Sequence, residues 1–224
     1  MAKINKQAQN TKDQIENTLL MLFHHNLVRL KKNVHCQANG QELFLTWDNH
    51  TSGRHNAGNA FTTLDQYTTI YDTGAYHAIL HDGSIIRVSF RFRQNKLLEE
   101  SLLYWPAPIV IPEEEIYELG ICEAIDMYIS SQNSKSKGLR MRTPIRLDFD
   151  SANDTRTHPA AHLHMQHADC RISVKEPYCF NTFIRFIFEN FYPDIQNKAL
   201  KTLQPLSFSS EIKPNNDAMF CIYK

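Results

Sequence analysis

The stretch Pro144-Ile-Arg-Leu-Asp-Phe-Asp150 is followed by a polar loop and then by His158-Pro-Ala-Ala-His-Leu-His164. Ile145, Leu147 and Phe149 alternate with Arg146, Asp148 and Asp150. Successive side chains of a strand face opposite sides, so such a strand has one apolar face and one face carrying Arg, Asp and Asp. The second segment repeats the pattern, with Ala161, Leu163 and Met165 on one side and His162, His164 and Gln166 on the other. A hairpin closed across residues 151–160 makes the two polar faces one. Two carboxylates, two imidazoles and a guanidinium then share one side of one sheet.

Working outward, a turn and Cys170-Arg-Ile-Ser-Val174 lead to the most strongly patterned helix of the chain. Phe180, Phe183, Ile184, Ile187, Phe188 and Phe191 follow the i, i+3, i+4, i+7, i+8, i+11 spacing of an apolar helical stripe. Tyr192-Pro193 stops it, since the residue before a proline avoids the helical region. A short strand is expected over 218–223. Upstream, Pro112 and Glu113–Glu115 open a helix expected to run to about residue 130. Residues 132–138 are polar and rich in Ser and Lys. They read as a flexible connection inside a single domain spanning 1–224.

The first half reads as an amphipathic helix over residues 11–30, then a hairpin turning at Asn39-Gly40, then a polar loop over 48–60. A meander is expected next, with strands over 67–71, 75–80, 84–93 and 97–105. A two-residue turn at Asp82-Gly83 sets Ile79 opposite Ile86 and His77 opposite Val88. Ile79, Ile86, Val88, Phe90 and Phe92 then share the apolar face, and Tyr76, Arg87, Ser89, Arg91 and Arg93 the other. The arginine face could contact nucleic-acid phosphates. Equally, it could be a solvated face whose charges resist edge pairing.

The whole is expected to be an α+β fold: an antiparallel meander of six to eight strands, covered on one face by the N-terminal, central and Phe-rich helices. With 224 residues, 13 Phe and 42% apolar residues there is ample material for a core. Basic and acidic residues balance at 24 each, which excludes a global electrostatic pull toward nucleic acid or membrane. Cys36, Cys122, Cys170, Cys179 and Cys221 are odd in number and contain no C-x-x-C pair. That argues against a disulfide framework or a thiolate zinc site and suits a reducing cytoplasm. Asp13 and Glu16 precede any apolar run, unlike a signal peptide, and no segment reaches membrane-spanning length.

Three chemistries fit the 144–164 hairpin. His162 and His164 with Asp148 could hold a divalent metal, the only cofactor the sequence suggests. Alternatively, Asp148, Asp150, His162 and His164 could work without metal, with Arg146, Arg156 or Arg171 as the cation. Cleavage of RNA by its own 2′-hydroxyl needs such a base, acid and cation. Finally, Asp148–His164 and Asp150–His162 could be register-setting ion pairs with no catalytic role.

Arg146-Leu-Asp-Phe-Asp150, Thr157-His-Pro-Ala-Ala-His-Leu-His164, Cys170-Arg-Ile-Ser-Val174 and the Phe-rich helix resemble the bacterial domain-of-unknown-function family 2290, over nearly the whole chain. Tyr76-His-Ala-Ile-Leu-His-Asp-Gly-Ser-Ile-Ile-Arg-Val-Ser89 is similar, over a shorter span, to the TumE-type toxins of toxin–antitoxin pairs. The toxin likeness implies roles for Arg87, Arg146, Asp148, His162 and His164. Together the resemblances imply a bacterial cytoplasmic protein linked to toxin–antitoxin or phage-defence loci. RNA is then its expected substrate, to be cleaved or modified through the His/Asp/Arg site, and a cognate antitoxin or defence-complex protein its expected partner. A non-catalytic, partner-binding subunit of such an assembly is the competing expectation.

Overall fold

A computed structural model describes residues 5–48, 50, 64–131, 142–165 and 169–222. Its centre is an antiparallel run of four strands, β5 (Ile85–Arg93), β6 (Lys96–Trp105), β7 (Ile145–Asp150) and β8 (Ala161–Met165). β9 (Ile172–Ser173) extends it on one side; β4 (Ala78–Leu80) and β1 (Val28–Lys31) extend it on the other. The hairpin β2 (His35–Asn39) and β3 (Glu42–Thr46) joins through β3, which pairs with the second half of β5. The described residues thus form one nine-stranded open sheet in an α+β fold.

Each face of this sheet has its own core. On the first, Ile86, Val88, Phe90 and Phe92 of β5 continue through Leu102, Leu147 and Leu163. They pack under α1 (Lys6–His24), through Ile15, Leu19 and Leu22, and under α5 (Phe180–Phe191), through Phe180, Phe183, Ile184, Ile187 and Phe188. The Phe stripe is buried as its spacing requires. On the second face, Ile79, Ile85, Leu103 and Trp105 pack with Tyr67 and Ile70 of α2 (Leu64–Asp72). Ile116 of α3 (Glu113–Leu119) and Ile121, Ala124 and Ile125 of α4 (Ile121–Ser131) complete that cluster.

Several expectations change. The central helical segment covers the opposite face from α1 and α5. It is also two helices, broken at Gly120 with φ 81°, a backbone region that favours glycine. Residues 67–71, rich in β-prone Tyr and Thr, lie in α2, where Tyr67 and Ile70 reach the second core from one helical side. The N-terminal helix ends at His24. Asn26 (φ 57°) turns the chain out of it, so Val28–Lys31 is free to pair with β4.

The β4–β5 register is shifted by one residue. Leu80 N donates to Ser84 O, so the connection holds three residues, His81, Asp82 and Gly83, with Gly83 at φ 86°. Ile79 then faces Ile85 and Ala78 faces Ile86. A one-residue slip exchanges faces, so Ile79 belongs to the arginine side. The terminal strand reduces to one parallel bridge, Val174 to Phe220. Residues 132–138, and all of the 48–60 loop except Asp48 and His50, lie outside the described residues.

Candidate functional site

Two rows of side chains cross the second face beside the α2–α4 cluster, and Leu103 belongs both to the first of them and to that cluster. The first runs Arg87, Leu103, Arg146, His164 over β5 to β8. The second, one pleat along, runs Ser89, Ser101, Asp148, His162 and Ser173. The hairpin read from the sequence therefore forms, and its polar faces merge. Asp148 sits directly opposite His162, and Arg146 opposite His164. The ion pair runs diagonally: His164 Nε2 lies 3.2 Å from Asp148 Oδ2. The direct and diagonal neighbours of one carboxylate are thus the two imidazoles.

Three groups hold that carboxylate. Arg146 Nε donates to Asp148 Oδ2 at 2.7 Å, Ser101 Oγ donates to Oδ1 at 2.8 Å, and His164 supplies the third contact. Burial alone would raise the carboxyl's pKa. The charge of Arg146 and the hydrogen bonds from His164 and Ser101 outweigh burial and hold it well below the usual carboxylate range.

His162 is set differently. Its Nδ1 lies 2.7 Å from the carbonyl oxygen of Pro159. A carbonyl only accepts, so the ring proton sits on Nδ1 and Nε2 carries the lone pair. Burial lowers its pKa to about 4, against the pull of Asp148, so the ring is neutral at pH 7. The His162 and His164 rings meet edge to face with centroids 4.7 Å apart, and His158 meets His162 at 4.9 Å.

Asp150 shares the strand face but not the cluster. Its carboxylate accepts from Ala152 N at 3.0 Å and from Asn153 Nδ2 at 2.6 Å, closing the turn after β7. The expected Asp150–His162 pair is replaced by Asp148 standing opposite His162. Arg171 lies 3.9 Å from Asp169, and Arg156 is in the exposed loop. Arg146 is therefore the cation brought to the histidines.

The three arginines of β5 share the sheet face of the histidines, but they differ in company. Arg91 pairs with Glu42 at 3.3 Å and with Glu99; Arg93 pairs with the same Glu42. The hydrogen bond from Arg93 is the main reason the Glu42 carboxyl is held below its ordinary range. Arg87 is buried, with its guanidinium carbon 4.9 Å from the centroid of the Trp47 ring. Ser101, Trp47 and the Pro159 carbonyl were not readable as site components. Each reaches the site through a register or backbone direction that leaves no mark in composition.

Asp148, His162 and His164 each offer a ligand atom, and these atoms lie within 4.8 Å of one another. Two imidazoles and a carboxylate suit zinc, manganese or iron. A ligating histidine commonly donates its other ring N–H to a backbone carbonyl, as His162 does to Pro159. Among the described residues no helix is long and apolar enough to cross a membrane.

Residues 27–223 match the family described as an uncharacterized conserved protein (DUF2290). The chain belongs to this family. No curated protein and no solved structure matches it significantly, so the likeness to TumE-type toxins gains no support.

Proposed function

We propose that this chain is a metal-independent RNA-cleaving enzyme of the bacterial cytoplasm, working through His162, His164, Asp148 and Arg146. One observation carries the reading: two imidazoles of opposite setting stand on one carboxylate that an arginine also holds. His162 presents a bare Nε2 and is suited to take the proton of a ribose 2′-hydroxyl. The 2′-oxygen then bonds to the adjacent phosphorus and the bond to the 5′-oxygen breaks. His164, the imidazole oriented by Asp148, serves as the acid that delivers a proton to that leaving oxygen. Arg146 offsets the charge that develops on phosphorus. Asp148 already accepts from three donors, which suits an orienting carboxylate better than a metal ligand.

Unrestrained RNA cleavage harms its host, so the reading carries with it a restraining partner protein, as in a toxin–antitoxin or phage-defence assembly. The test is incubation of purified protein with a single-stranded RNA and its all-deoxy counterpart in a chelator. Cleavage of the RNA alone, leaving 2′,3′-cyclic ends and slowed about 10²- to 10⁴-fold by His162→Gln, is the expected result. An intact RNA under all conditions would sink the proposal and leave the partner-binding role as the better account. A second reading follows from the convergence of the three donor atoms. Cleavage that requires added manganese or zinc would establish it in place of the first.

A further inference from the structure

Arg87 sits where an arginine is costly. Only 5% of it is exposed, and it makes no hydrogen bond with any described residue, although a guanidinium carries five N–H donors. Its neighbours on this face are provided for. Asp148 answers Arg146, while Glu42 and Glu99 answer Arg91 and Arg93. Asp150, the remaining acid of the β7 face, is turned into the loop that follows its strand. Nor can a side-chain carboxylate come from elsewhere in the chain: positions 1–4, 49, 51–63, 132–141, 166–168 and 223–224 contain no Asp or Glu.

Trp47 covers the flat side of the guanidinium, a contact that leaves the N–H edge of the fork unused. Burial, reinforced by the charge of Arg146 and opposed by that of Asp148, lowers the Arg87 pKa to about 10, so the group is still a cation at pH 7. This part of the sheet therefore holds two buried or half-buried cations, Arg87 and Arg146, against one carboxylate. A buried charge is tolerated when it is paired, and the pair missing here is an anion.

We propose that Arg87 is an oxyanion-binding residue, holding a phosphate-type group of a ligand on the sheet face it shares with Arg146, His162 and His164. The planar fork of Arg87 matches two oxygens of such a group, and Trp47 fixes the plane of the fork. The site deepens the RNA-cleaving reading by naming where a substrate phosphate is held. It lies two strands from Arg146, with Leu103 between them, so it suits a phosphate next to the one cleaved.

The test uses the full chain and inorganic phosphate, with chloride and acetate at matched ionic strength. Phosphate is expected to raise the melting temperature of the wild type saturably, and acetate to do so less. Arg87→Met is expected to abolish the phosphate effect while melting at or above the wild type in chloride, because it removes a buried unpaired charge. A purely structural Arg87, packed on Trp47 and nothing more, predicts the reverse: a lower melting temperature in chloride and an unchanged phosphate response. Calorimetric titration of wild type and Arg87→Lys serves if the Met variant fails to fold. A phosphate dissociation constant weakened about tenfold or more by loss of the fork supports the site. Equal affinities, no phosphate effect on the wild type, or an acetate effect as large as that of phosphate each overturn it. None of these readouts needs RNA cleavage, so phosphate binding without cleavage would refute only the enzymatic reading.

Discussion

The two faces of this sheet are built from alternate residues of the same strands, yet they are stabilised by different physics. On the first face, Ile86, Val88, Phe90 and Phe92 meet the Phe stripe of α5, and area removed from water does the work. Among the described residues it also buries one carboxylate, Glu100, 4% exposed, which accepts the backbone N–H of Tyr178. On the second face, away from the α2–α4 cluster, each buried polar group needs a named partner. Asp148 has three, and Arg87 hydrogen-bonds to none of the described residues. The first face tolerates change in proportion to volume; the second should respond to the removal of single atoms.

The largest effect on stability belongs to the first face. Phe188 is 1% exposed in the middle of the stripe, and Phe188→Ala is expected to cost about 3–5 kcal/mol through the ring-sized cavity it leaves. Urea unfolding measures it, and an unchanged midpoint would mean that the stripe does not carry the core.

On the second face, Asp148→Asn keeps the volume and removes the charge that Arg146 and His164 share. Hydrogen bonds to charged groups contribute about 1.5–3 kcal/mol each, and partial exposure of this pair places the loss at about 2 kcal/mol. The carboxyl is depressed in the folded state, so its stabilisation is present above the unfolded pKa near 4 and fades as pH falls toward the lower folded value. Melting temperatures followed from pH 6 to pH 2 should therefore fall more steeply for the wild type than for Asp148→Asn. Parallel curves would show that Asp148 does not carry the charge balance of this face.

Glu100 runs the other way. Burial raises its carboxyl well above the ordinary value, against the hydrogen bond from Tyr178. A raised carboxyl favours folding while protonated, and that advantage is lost as pH rises from the unfolded pKa through the folded one. Glu100→Gln keeps an acceptor for Tyr178 N and stays neutral. Its melting temperature relative to wild type should thus be higher at pH 8 than at pH 5. A difference that does not change with pH would contradict a buried, titrating Glu100.

Which parts of this were legible depends on how local each cause is. The β7–β8 hairpin could be read because two strands with a period of two left only the pairing register open, and every register that buries Leu147 and Leu163 together puts Arg146, Asp148, His162 and His164 on one side. The α5 stripe was readable for the same reason, at a period of 3.6. Ile79 could not be placed, since Asp82-Gly83 suits both a two-residue and a three-residue connection, and the choice reverses the face. The layer of α3 and α4 was equally hidden: Ile116, Ile121 and Ile125 show which helical side is apolar, not which sheet face receives it. At the site, Asp148 with both histidines was foreseen as a group. The expected Asp150–His162 pairing did not form, because the engagement of Asp150 with Ala152 and Asn153 is a property of the turn, invisible to strand alternation.

The smallest effect separates the arginines of β5. Arg91 and Arg93 read from sequence as one phosphate-binding row with Arg87, but Glu42, contributed by β3 from a distant part of the chain, lies opposite Arg93 and pairs with both. Their charge is largely cancelled before any nucleic acid arrives. Arg93 is about half exposed, and pairs of this kind contribute less than about 1 kcal/mol. Arg91→Gln with Arg93→Gln should consequently shift the unfolding free energy by little. If the chain binds RNA, the double variant should also leave the salt dependence of binding nearly as steep as in the wild type, since counterion release counts phosphates newly neutralised. Arg87→Met should flatten it by about one phosphate contact. The reverse ranking, with Arg91 and Arg93 carrying the slope and Arg87 silent, would mean that the exposed rim of β5 binds the phosphates and that the buried guanidinium does not. Fluorescence anisotropy of one labelled RNA across a salt series, with the wild type and both variants side by side, decides between them.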